Sequence, residues 1–300
     1  MFVQIIEVSV FGNFDSKRPK TPFSERDGIL RYSSTMLSIT EHRWLKTGSS
    51  LSRLGFEFDG GSRYLLLDGK RAYSLGFAGC QTCSFLFERL GGANQALQVD
   101  ATAEALREGV DSLDDSVVSL VGLGLPEGEY GVVLAEAPVV QVKPGATNDY
   151  FTNEQPALWG EDNFWCLPHD PRVSYFRAGD KDIGEGRRLF NFVVPMFPTK
   201  WLRMATVAEY AESLRTKASG TAVSVAVLDI RSPADWTGEQ TPDPVEHWCL
   251  THFLLDGHHK LNAAAEAGKP LRLLTFIATS LGVSKKEDIE SAIRLLSTSR

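Results

Sequence analysis

The apolar positions in the first part of the chain have the spacing of short strands. Residues 53–77 contain three short apolar runs, separated by an Asp-Gly-Gly turn at 59–61 and an Asp-Gly turn at 68–69. Aspartate–glycine pairs between strand-like runs are typical of β-hairpins, so a three-stranded meander is predicted here. Further strands are predicted at 2–11, 30–39, 130–136 and 139–143.

After the meander, the spacing of the apolar residues changes from that of strands to that of helices. A helix is predicted at 84–90, where Gly91-Gly92 ends it, and another at 100–108, with Asp100 as N-cap. The segment that follows the strand at 139–143 is rich in aromatic residues as well as in Asn, Asp, Gly and Pro. Disordered segments are poor in aromatics, so an ordered but irregular connection is expected there.

Strands and helices alternate in the last part of the chain. A helix is predicted at 206–217, with Thr206 and Glu209 as a capping box, and a final helix begins at Ser284, with Glu287 as its partner. Strands are predicted at 189–196, 222–230 and 271–278. The middle one is continuously apolar, which is the mark of a buried sheet position.

These patterns predict an α+β protein. We expect a β-rich α+β domain of unassigned role at 1–150, an ordered aromatic-rich connection at 151–186, and a second, α/β domain at 187–300. A length of 300 residues suits two domains, and an apolar fraction of 43% with a charged fraction of 23% is ordinary for a soluble globular protein.

Charge and cysteine usage narrow the class of protein. The net charge of −7 argues against a surface made for nucleic acid, although residues 257–300 carry seven Lys or Arg and only four Asp or Glu. The N-terminal apolar run lacks preceding basic residues and contains Glu7, unlike a secretory signal. With four cysteines and no apolar run of ~18 residues, we expect a cytoplasmic protein with reduced thiols and no membrane span.

The most informative motif is a turn between an apolar run and an Ala-rich helix. The run ends in Asp256-Gly257, and His258, His259 and Lys260 follow at the predicted helix N-terminus. Cations there oppose the helix dipole by ~0.3–1 kcal/mol each, whereas the free backbone N–H groups favour an anion. We therefore predict a phosphate held by Gly257, His258, His259 and Lys260. The alternative is an N-capping Asp256 followed by solvated first-turn residues.

The order of motifs around this turn resembles the ParB N-terminal/sulfiredoxin-like superfamily. The resemblance covers about 187–280 and runs through the strand at 193–195, a helix, VSVAVLDI, LLDGHHKLNAA and the strand after Lys269-Pro270. The family commonly has Asp/Glu-Gly-x-His-Arg followed by small helical residues, and this chain has Lys260 where Arg is usual. The resemblance implies a compact α/β domain that binds a nucleoside di- or triphosphate at the turn.

The branches of this superfamily differ in chemistry. Sulfiredoxin carries Gly-Cys-His where this chain has Gly257, His258 and His259, so the cysteine chemistry of that branch is not expected. The partition proteins need a helix-turn-helix after the domain, for which the roughly 20 residues after Ala278 are too few. The free-serine-kinase branch is the closest match. It implies a small-molecule kinase that uses ATP or ADP with Mg²⁺ to phosphorylate a small hydroxylated metabolite.

Two other functions stay open at this point. One is a non-enzymatic nucleotide-binding regulatory protein, and the other is a DNA-associated ParB-like protein, which the net charge disfavours. A kinase also needs an acid that accepts the substrate proton. Asp256, Asp229 and Glu185 are candidates for this role, and His258 is a candidate for charge stabilisation. Asp229 is equally typical of a strand-terminal turn, and Glu185 of a solvated loop.

Two cysteine motifs share one spacing. Cys80-x-x-Cys83 and Cys166-x-x-His169 together have the composition of a Cys₃His zinc site. The alternatives are a redox role for Cys83 at a helix N-terminus, or ordinary buried residues.

A further group of metal-binding residue types lies on the strand before the turn at 256–260. A strand period of two places His247 and Cys249 on one face and His252 on the other, which argues against a shared metal.

Overall fold

The computed structural model describes residues 36–47, 52–94, 103–162, 166–216, 220–234 and 245–297. They belong to one compact unit, Ser34–Arg300. The strand predicted at 2–11, most of the strand predicted at 30–39, and the N-cap predicted at Asp100 lie outside the described residues. No helix in these six ranges is long and apolar enough to cross a membrane.

The described residues form twelve strands and six α-helices, which confirms the predicted α+β class. The strands are β1 (Ser38–Thr47), β2 (Leu54–Asp59), β3 (Ser62–Leu67), β4 (Lys70–Phe77), β5 (Glu88–Arg89), β6 (Gly128–Pro138), β7 (Val140–Val142), β8 (Tyr175–Gly184), β9 (Arg187–Pro195), β10 (Ala222–Arg231), β11 (Glu246–Asp256) and β12 (Pro270–Ala278). The helices are α1 (Ala103–Glu108), α2 (Asp115–Gly122), α3 (Glu154–Trp159), α4 (Met204–Thr216), α5 (His258–Ala267) and α6 (Lys286–Leu296).

Eight strands form one mixed sheet in the order β1-β6-β12-β10-β11-β9-β8-β7. The pairs β10/β12 and β9/β11 are parallel, and the other neighbours are antiparallel. Strands from both halves of the chain belong to this one sheet, since β6 pairs with β1 on one side and with β12 on the other. The boundary predicted within 150–187 falls inside this sheet, because β8 pairs with β7 on one side and with β9 on the other. The structure therefore does not separate the predicted domains.

The other four strands form the small antiparallel sheet β2-β3-β4-β5. Its first three strands are the meander that the Asp-Gly spacing predicts. Asp59 pairs with Ser62 across the first turn, and the intervening Gly60 and Gly61 have φ of 57° and 83°. Glycine adopts these positive values without steric cost, which explains the composition of the turn.

The predicted helices have mixed outcomes. The predictions at 100–108 and 206–217 are confirmed as α1 and α4, whereas 84–90 is wrong and forms an extended segment ending in β5. Its alternating Phe85 and Phe87 are both buried, so the strand period of two prevails there. The last helix begins at Lys286, and its N-cap is Lys285, one residue after the predicted Ser284, since Asp288 accepts the backbone N–H of Lys285.

Each face of the large sheet packs against a different layer. Leu261 of α5 and Ile293 of α6 cover one face. The small sheet, α2 and a group of aromatic side chains cover the other. Aromatic residues of the predicted irregular connection belong to this second core, where the rings of Phe85 and Phe151 stack at 6.1 Å. Along β11, Cys249 faces this aromatic side and Leu250 the helical side.

Candidate functional site

The predicted phosphate turn lies at the junction of β11 and α5. Asp256 is the last residue of β11, and Gly257 is the N-cap of α5, with φ of 93°. A Cβ at this position would lie 2.6 Å from the Cβ of Ala222, below any normal contact distance. The glycine is therefore required by the close approach of β10 to the turn, in addition to its positive φ.

His258 faces the protein interior. Its Nε2 accepts a hydrogen bond from the backbone N–H of Met196 at 3.0 Å, and its ring stacks on Phe197 with centroids 3.8 Å apart. Burial lowers the pKa of the imidazole to about 3. A neutral ring that already accepts a backbone hydrogen bond cannot offer positive charge to a phosphate, so the predicted role of His258 is not supported.

Lys260 is also buried. Its Nζ donates hydrogen bonds to the carbonyl oxygens of Leu106 and Thr221, at 2.7 and 2.8 Å, and only 5% of the residue is exposed. Burial lowers its pKa. The ammonium group therefore joins α5 to α1 and to the residue before β10, which corrects its predicted role as a phosphate ligand.

His259 is the most accessible of the three predicted cations. Its Nε2 accepts a hydrogen bond from the backbone N–H of Arg203 at 3.0 Å, and burial together with Arg203 lowers its pKa. The turn thus keeps the geometry that the sequence predicts, a strand leading into a helix. It lacks the exposed positive charges on which the prediction of an anion site depends.

Asp229 lies on the opposite face of the sheet from this turn. It accepts two hydrogen bonds from the guanidinium of Arg63, at 2.9 and 2.7 Å, and one from the backbone N–H of Val283 at 2.7 Å. Burial opposes its charge, but Arg63 outweighs that cost and holds the pKa of Asp229 below its ordinary value. A carboxylate so engaged is a structural ion-pair partner.

The distance along the sheet also separates Asp229 from the turn. Asp229 pairs with Cys249, whereas Val223 pairs with Asp256. Six residues of strand span roughly 20 Å. Asp229 and Asp256, two of the alternative candidates for the acid that accepts the substrate proton, are therefore not brought together.

The predicted zinc ligands are not brought together either. Cys80 and Cys83 form a disulfide with each other, which also differs from the expected reduced thiols. Cys166 is exposed and free, and the Nε2 of His169 lies 3.0 Å from the carbonyl oxygen of Phe87. In the part of the chain that the structure describes, no group of three or more His, Cys, Asp or Glu side chains has a metal-binding arrangement.

Hydrogen bonds make the link that zinc was predicted to make. The segment after Cys83 and the segment that contains α3 are joined at several points. Besides the contact of His169, Gln155 donates to the carbonyl oxygen of Phe85 at 2.5 Å, and Trp159 to that of Thr82 at 3.1 Å. The two cysteine motifs are therefore neighbours in the fold, as the zinc hypothesis required. Hydrogen bonds to backbone carbonyl oxygens connect them.

The histidines of β11 face opposite sides of the sheet, as predicted. Nδ1 of His247 lies 2.9 Å from the hydroxyl of Tyr150 on the aromatic side. Nδ1 of His252 lies 3.1 Å from Oγ1 of Thr275, which is 2.8 Å from Oγ of Ser224. All three members of this second group are at most 1% exposed. A substrate cannot reach them without local opening, so they form a buried polar network.

A cleft of about 460 Å³ lies elsewhere, between the turn that joins β8 to β9 and the outer surface of α6. Its size is within the range of ~300–1,000 Å³ typical of small-molecule sites. The turn contributes one guanidinium, α6 contributes another, and the first residues of β11 contribute an indole. The lining residues are Ile183, Arg187, Trp248, Asp288, Ser291, Arg294 and Leu295.

The polar groups of the cleft are positioned by local contacts. Arg294 donates a hydrogen bond from Nη2 to Oγ of Ser291 at 2.8 Å, one helical turn earlier. Arg187 forms an ion pair of 2.7 Å with Glu185, whose side chain is 73% exposed at the rim. Glu185 has a positive φ of 54° in this turn. Its predicted role as the substrate base has no support in this arrangement, since its carboxylate is solvated and paired with Arg187.

The floor of the cleft is apolar. Trp248 is 6% exposed, and its Nε1 donates to Oε2 of Glu246 at 3.0 Å, so the indole offers carbon atoms to the cleft. Ile183 and Leu295 provide the walls. Asp288, the one lining carboxylate, accepts the N–H of Lys285 at the helix N-terminus. The site combines two guanidinium groups, one carboxylate, a hydroxyl and an apolar floor.

No protein-family model matches this chain, nor does any curated protein or solved structure. The resemblance to the ParB N-terminal/sulfiredoxin-like superfamily stays a prediction, carried by the residues around the turn.

The sequence contains only part of the signal for this cleft. Arg187 lies in a charged Glu-Gly-Arg-Arg segment before a predicted strand, and Arg294 on the predicted final helix. No spacing rule connects the two, since they are about 100 residues apart and meet only through packing around Trp248.

Proposed function

We propose that this protein binds a small anionic molecule with a planar or apolar part in the cleft between the β8–β9 turn and α6. The observation that carries the proposal is that Arg187 and Arg294 line the same cavity as Trp248. A cavity with few polar groups that converge on an apolar surface is the usual form of a small-molecule site.

The guanidinium groups favour a carboxylate or a phosphate. Each guanidinium has five N–H donors in a planar fork, which matches two oxygens of such a group. Ser291 accepts from Nη2 of Arg294 and thereby directs the arginine along the helix. Glu185 balances the charge of Arg187 from an exposed position, where an anionic ligand would compete with it.

Nucleotides are the first class of ligand to test. They combine a planar base, which suits the apolar floor at Trp248, with phosphates, which suit Arg187 and Arg294. The ligand class is thus the nucleotide that the sequence predicts, but the site is the cleft and not the turn at Gly257.

Binding rather than phosphoryl transfer is the activity that the geometry favours. Asp229 is a buried partner of Arg63, Asp288 holds the start of α6, and Glu185 at the rim is paired with Arg187. A phosphotransferase that uses Mg²⁺ with ATP or ADP needs a carboxylate that is open to the substrate and to the metal-bound phosphates.

The test is a binding screen with matched variants. Calorimetry with ATP, AMP, inorganic phosphate and a set of aromatic carboxylates is run on the wild type, Arg187→Ala, Arg294→Ala and Arg215→Ala. Arg215 is an exposed arginine on α4 that pairs with Glu212, and it serves as the control. We expect each cleft variant to lose about 10- to 100-fold in affinity, the effect of one charged hydrogen bond, and the control to lose none.

Two outcomes would reject the cleft. One is the absence of binding heat for every compound with the wild type. The other is a ligand whose affinity is unchanged in both cleft variants. Phosphorus NMR of an ATP incubation with hydroxylated amino acids then separates the two activities, since turnover would favour the kinase that the resemblance implies.

A further inference from the structure

The loop between β4 and β5 carries the Cys80–Cys83 disulfide. Both cysteines are partly exposed, so a small thiol or a partner protein can reach the sulfurs. The other two cysteines differ from this pair, because Cys166 is exposed and free and Cys249 is buried and free. The pair is therefore the place in the described residues where thiol and disulfide states interconvert without a rearrangement of the core.

Contacts from two other segments, residues 231–232 and α3, hold this loop. The guanidinium of Arg231, a residue that is 1% exposed, donates to the carbonyl oxygens of Cys80 and Phe77. The backbone N–H of Ser232 donates to the carbonyl oxygen of Gln81 at 3.0 Å. The indole of Trp159 donates to the carbonyl oxygen of Thr82, so all of these donors bind backbone carbonyl groups of the loop.

The loop backbone is held independently of the two sulfurs. Neither of the two donating segments depends on the S–S bond for its position, because the donors come from the end of β10, with the residue after it, and from α3. The loop backbone therefore keeps its place when the disulfide opens. Two thiols held at a short separation re-form a disulfide readily, since the entropy of bringing them together is already lost.

The two sulfurs are not equivalent. The backbone N–H of Cys83 donates to Sγ of Cys80 at 3.1 Å. A hydrogen bond of this kind is stronger when the sulfur is a thiolate, so it favours negative charge on Cys80. Arg231, bound to the carbonyl oxygen of the same residue, adds positive charge on that side of the loop.

We propose that Cys80 and Cys83 form a thiol–disulfide exchange site in which Cys80 is the nucleophilic cysteine. In the oxidised form, a thiolate of an external dithiol attacks Sγ of Cys80, the S–S bond breaks, and its electron pair goes to Sγ of Cys83. The second thiolate of the dithiol then attacks the sulfur of the dithiol in the mixed disulfide and releases Cys80. The dithiol loses two electrons and two protons, and both cysteines become thiols. In the reverse direction, the Cys80 thiolate attacks a disulfide substrate, and Cys83 then attacks Sγ of Cys80 and releases the reduced substrate.

Thiol counting tests the exchange. Cys166→Ser removes the exposed free thiol, so this variant serves as the background. Dithiothreitol followed by its removal should give three thiols that react with an aromatic disulfide reagent in denaturant. Oxidised glutathione should reduce the number to one, the buried Cys249. Three thiols after oxidation would overturn the proposal, as would one equivalent of bound zinc that leaves on oxidation.

Kinetics test the assignment of Cys80. In the same background, Cys83→Ser leaves Cys80 as the reactive thiol, and Cys80→Ser leaves Cys83. Residue 83 keeps its backbone N–H in both variants. We expect the native Cys83→Ser protein to react with the aromatic disulfide about tenfold faster at neutral pH. Equal rates, or a faster Cys83, would overturn the assignment.

Folding is monitored in parallel. Circular dichroism and the thermal midpoint of each variant show that the rates refer to native protein. The thiol counts come from protein in which Cys80 and Cys83 are intact, so they decide the exchange proposal even where a serine variant does not fold.

Discussion

The Nζ of Lys260 lies 2.8 Å from the carbonyl oxygen of Thr221, to which it donates a hydrogen bond. A second bond of 2.7 Å reaches the carbonyl oxygen of Leu106. One ammonium group thereby connects the first turn of α5 with α1 and with the residue before β10. The local pattern predicts a ligand site for this lysine. In the fold, the lysine connects segments that are distant in the chain.

Replacement of this lysine should destabilise the protein. Lys260→Ala removes two charge-assisted hydrogen bonds and leaves two buried carbonyl oxygens without this donor. We expect a loss of about 3 kcal/mol in the free energy of unfolding, measured by urea denaturation. Lys269→Ala, at an exposed position just beyond α5, should change it by less than about 0.5 kcal/mol. Unchanged stability of Lys260→Ala with weakened nucleotide binding would instead support the phosphate site.

Stability should fall as the pH falls below neutrality. Burial lowers the pKa of His247, His252 and His258 to about 3, from an ordinary value of 6.5. The unfolded chain therefore binds protons that the folded protein does not, and protonation favours unfolding. The contribution of the neutral histidines to the free energy of unfolding is fully present above pH 6.5 and decreases as the pH falls to about 3. Each histidine contributes a slope of about 1.4 kcal/mol per pH unit within that window.

Urea denaturation between pH 7 and pH 5 measures this slope. His258→Gln keeps an acceptor for the N–H of Met196 and removes one titrating group, so the mean slope between pH 7 and pH 5 should decrease by about 1 kcal/mol per pH unit. His42→Gln, at an exposed position of β1, is the matched control for a change of histidine to glutamine. A wild-type stability that is constant between pH 7 and pH 5 would contradict the neutral, buried state of the three rings.

The ion pair of Arg63 with Asp229 should be important for stability. Both side chains are less than 5% exposed, and Arg231 lies 3.4 Å from the same carboxylate. Asp229→Asn removes the negative charge between two buried guanidinium groups, so we expect a loss of about 3–5 kcal/mol. Thermal denaturation of Asp68→Asn provides the matched control. Asp68 pairs with Arg53 at the surface, and this change should cost about 1 kcal/mol or less. A stable, soluble Asp229→Asn protein that has lost only an activity would restore the catalytic hypothesis.

Gly257 should be less replaceable than Gly268 at the other end of α5. Both have positive φ, but a Cβ at Gly257 would lie 2.6 Å from Ala222, whereas nothing lies within 4 Å of one at Gly268. Gly268→Ala should cost about 1 kcal/mol for the backbone strain alone, and Gly257→Ala at least about 2 kcal/mol, in chemical denaturation. Equal losses in the free energy of unfolding would mean that the close approach of β10 is not the reason for a glycine at position 257.

Local patterns predicted most of the elements around the candidate sites. The Asp-Gly turns of the first meander, the apolar run that forms β10 and the strand–turn–helix at Gly257 depend on contacts within a few residues. The segment at 84–90 shows the limit of this approach. A helix that ends at Gly91-Gly92 is predicted there, whereas in the structure Phe85 and Phe87 are both buried, as the period of a strand requires.

The sequence by itself determined where strands, turns and helices form, because those choices depend on neighbouring residues and on backbone geometry. It did not determine which side chains of the turn face inward. That outcome depends on Leu106, which is 154 residues from Lys260 in the chain, and on the backbone of Met196 beside His258. It also did not place Arg187 and Arg294 in one cleft. Burial and charge pairing arise from long-range packing, so only the tertiary structure decided which charged residues are buried in the protein and which line a cavity open to a ligand.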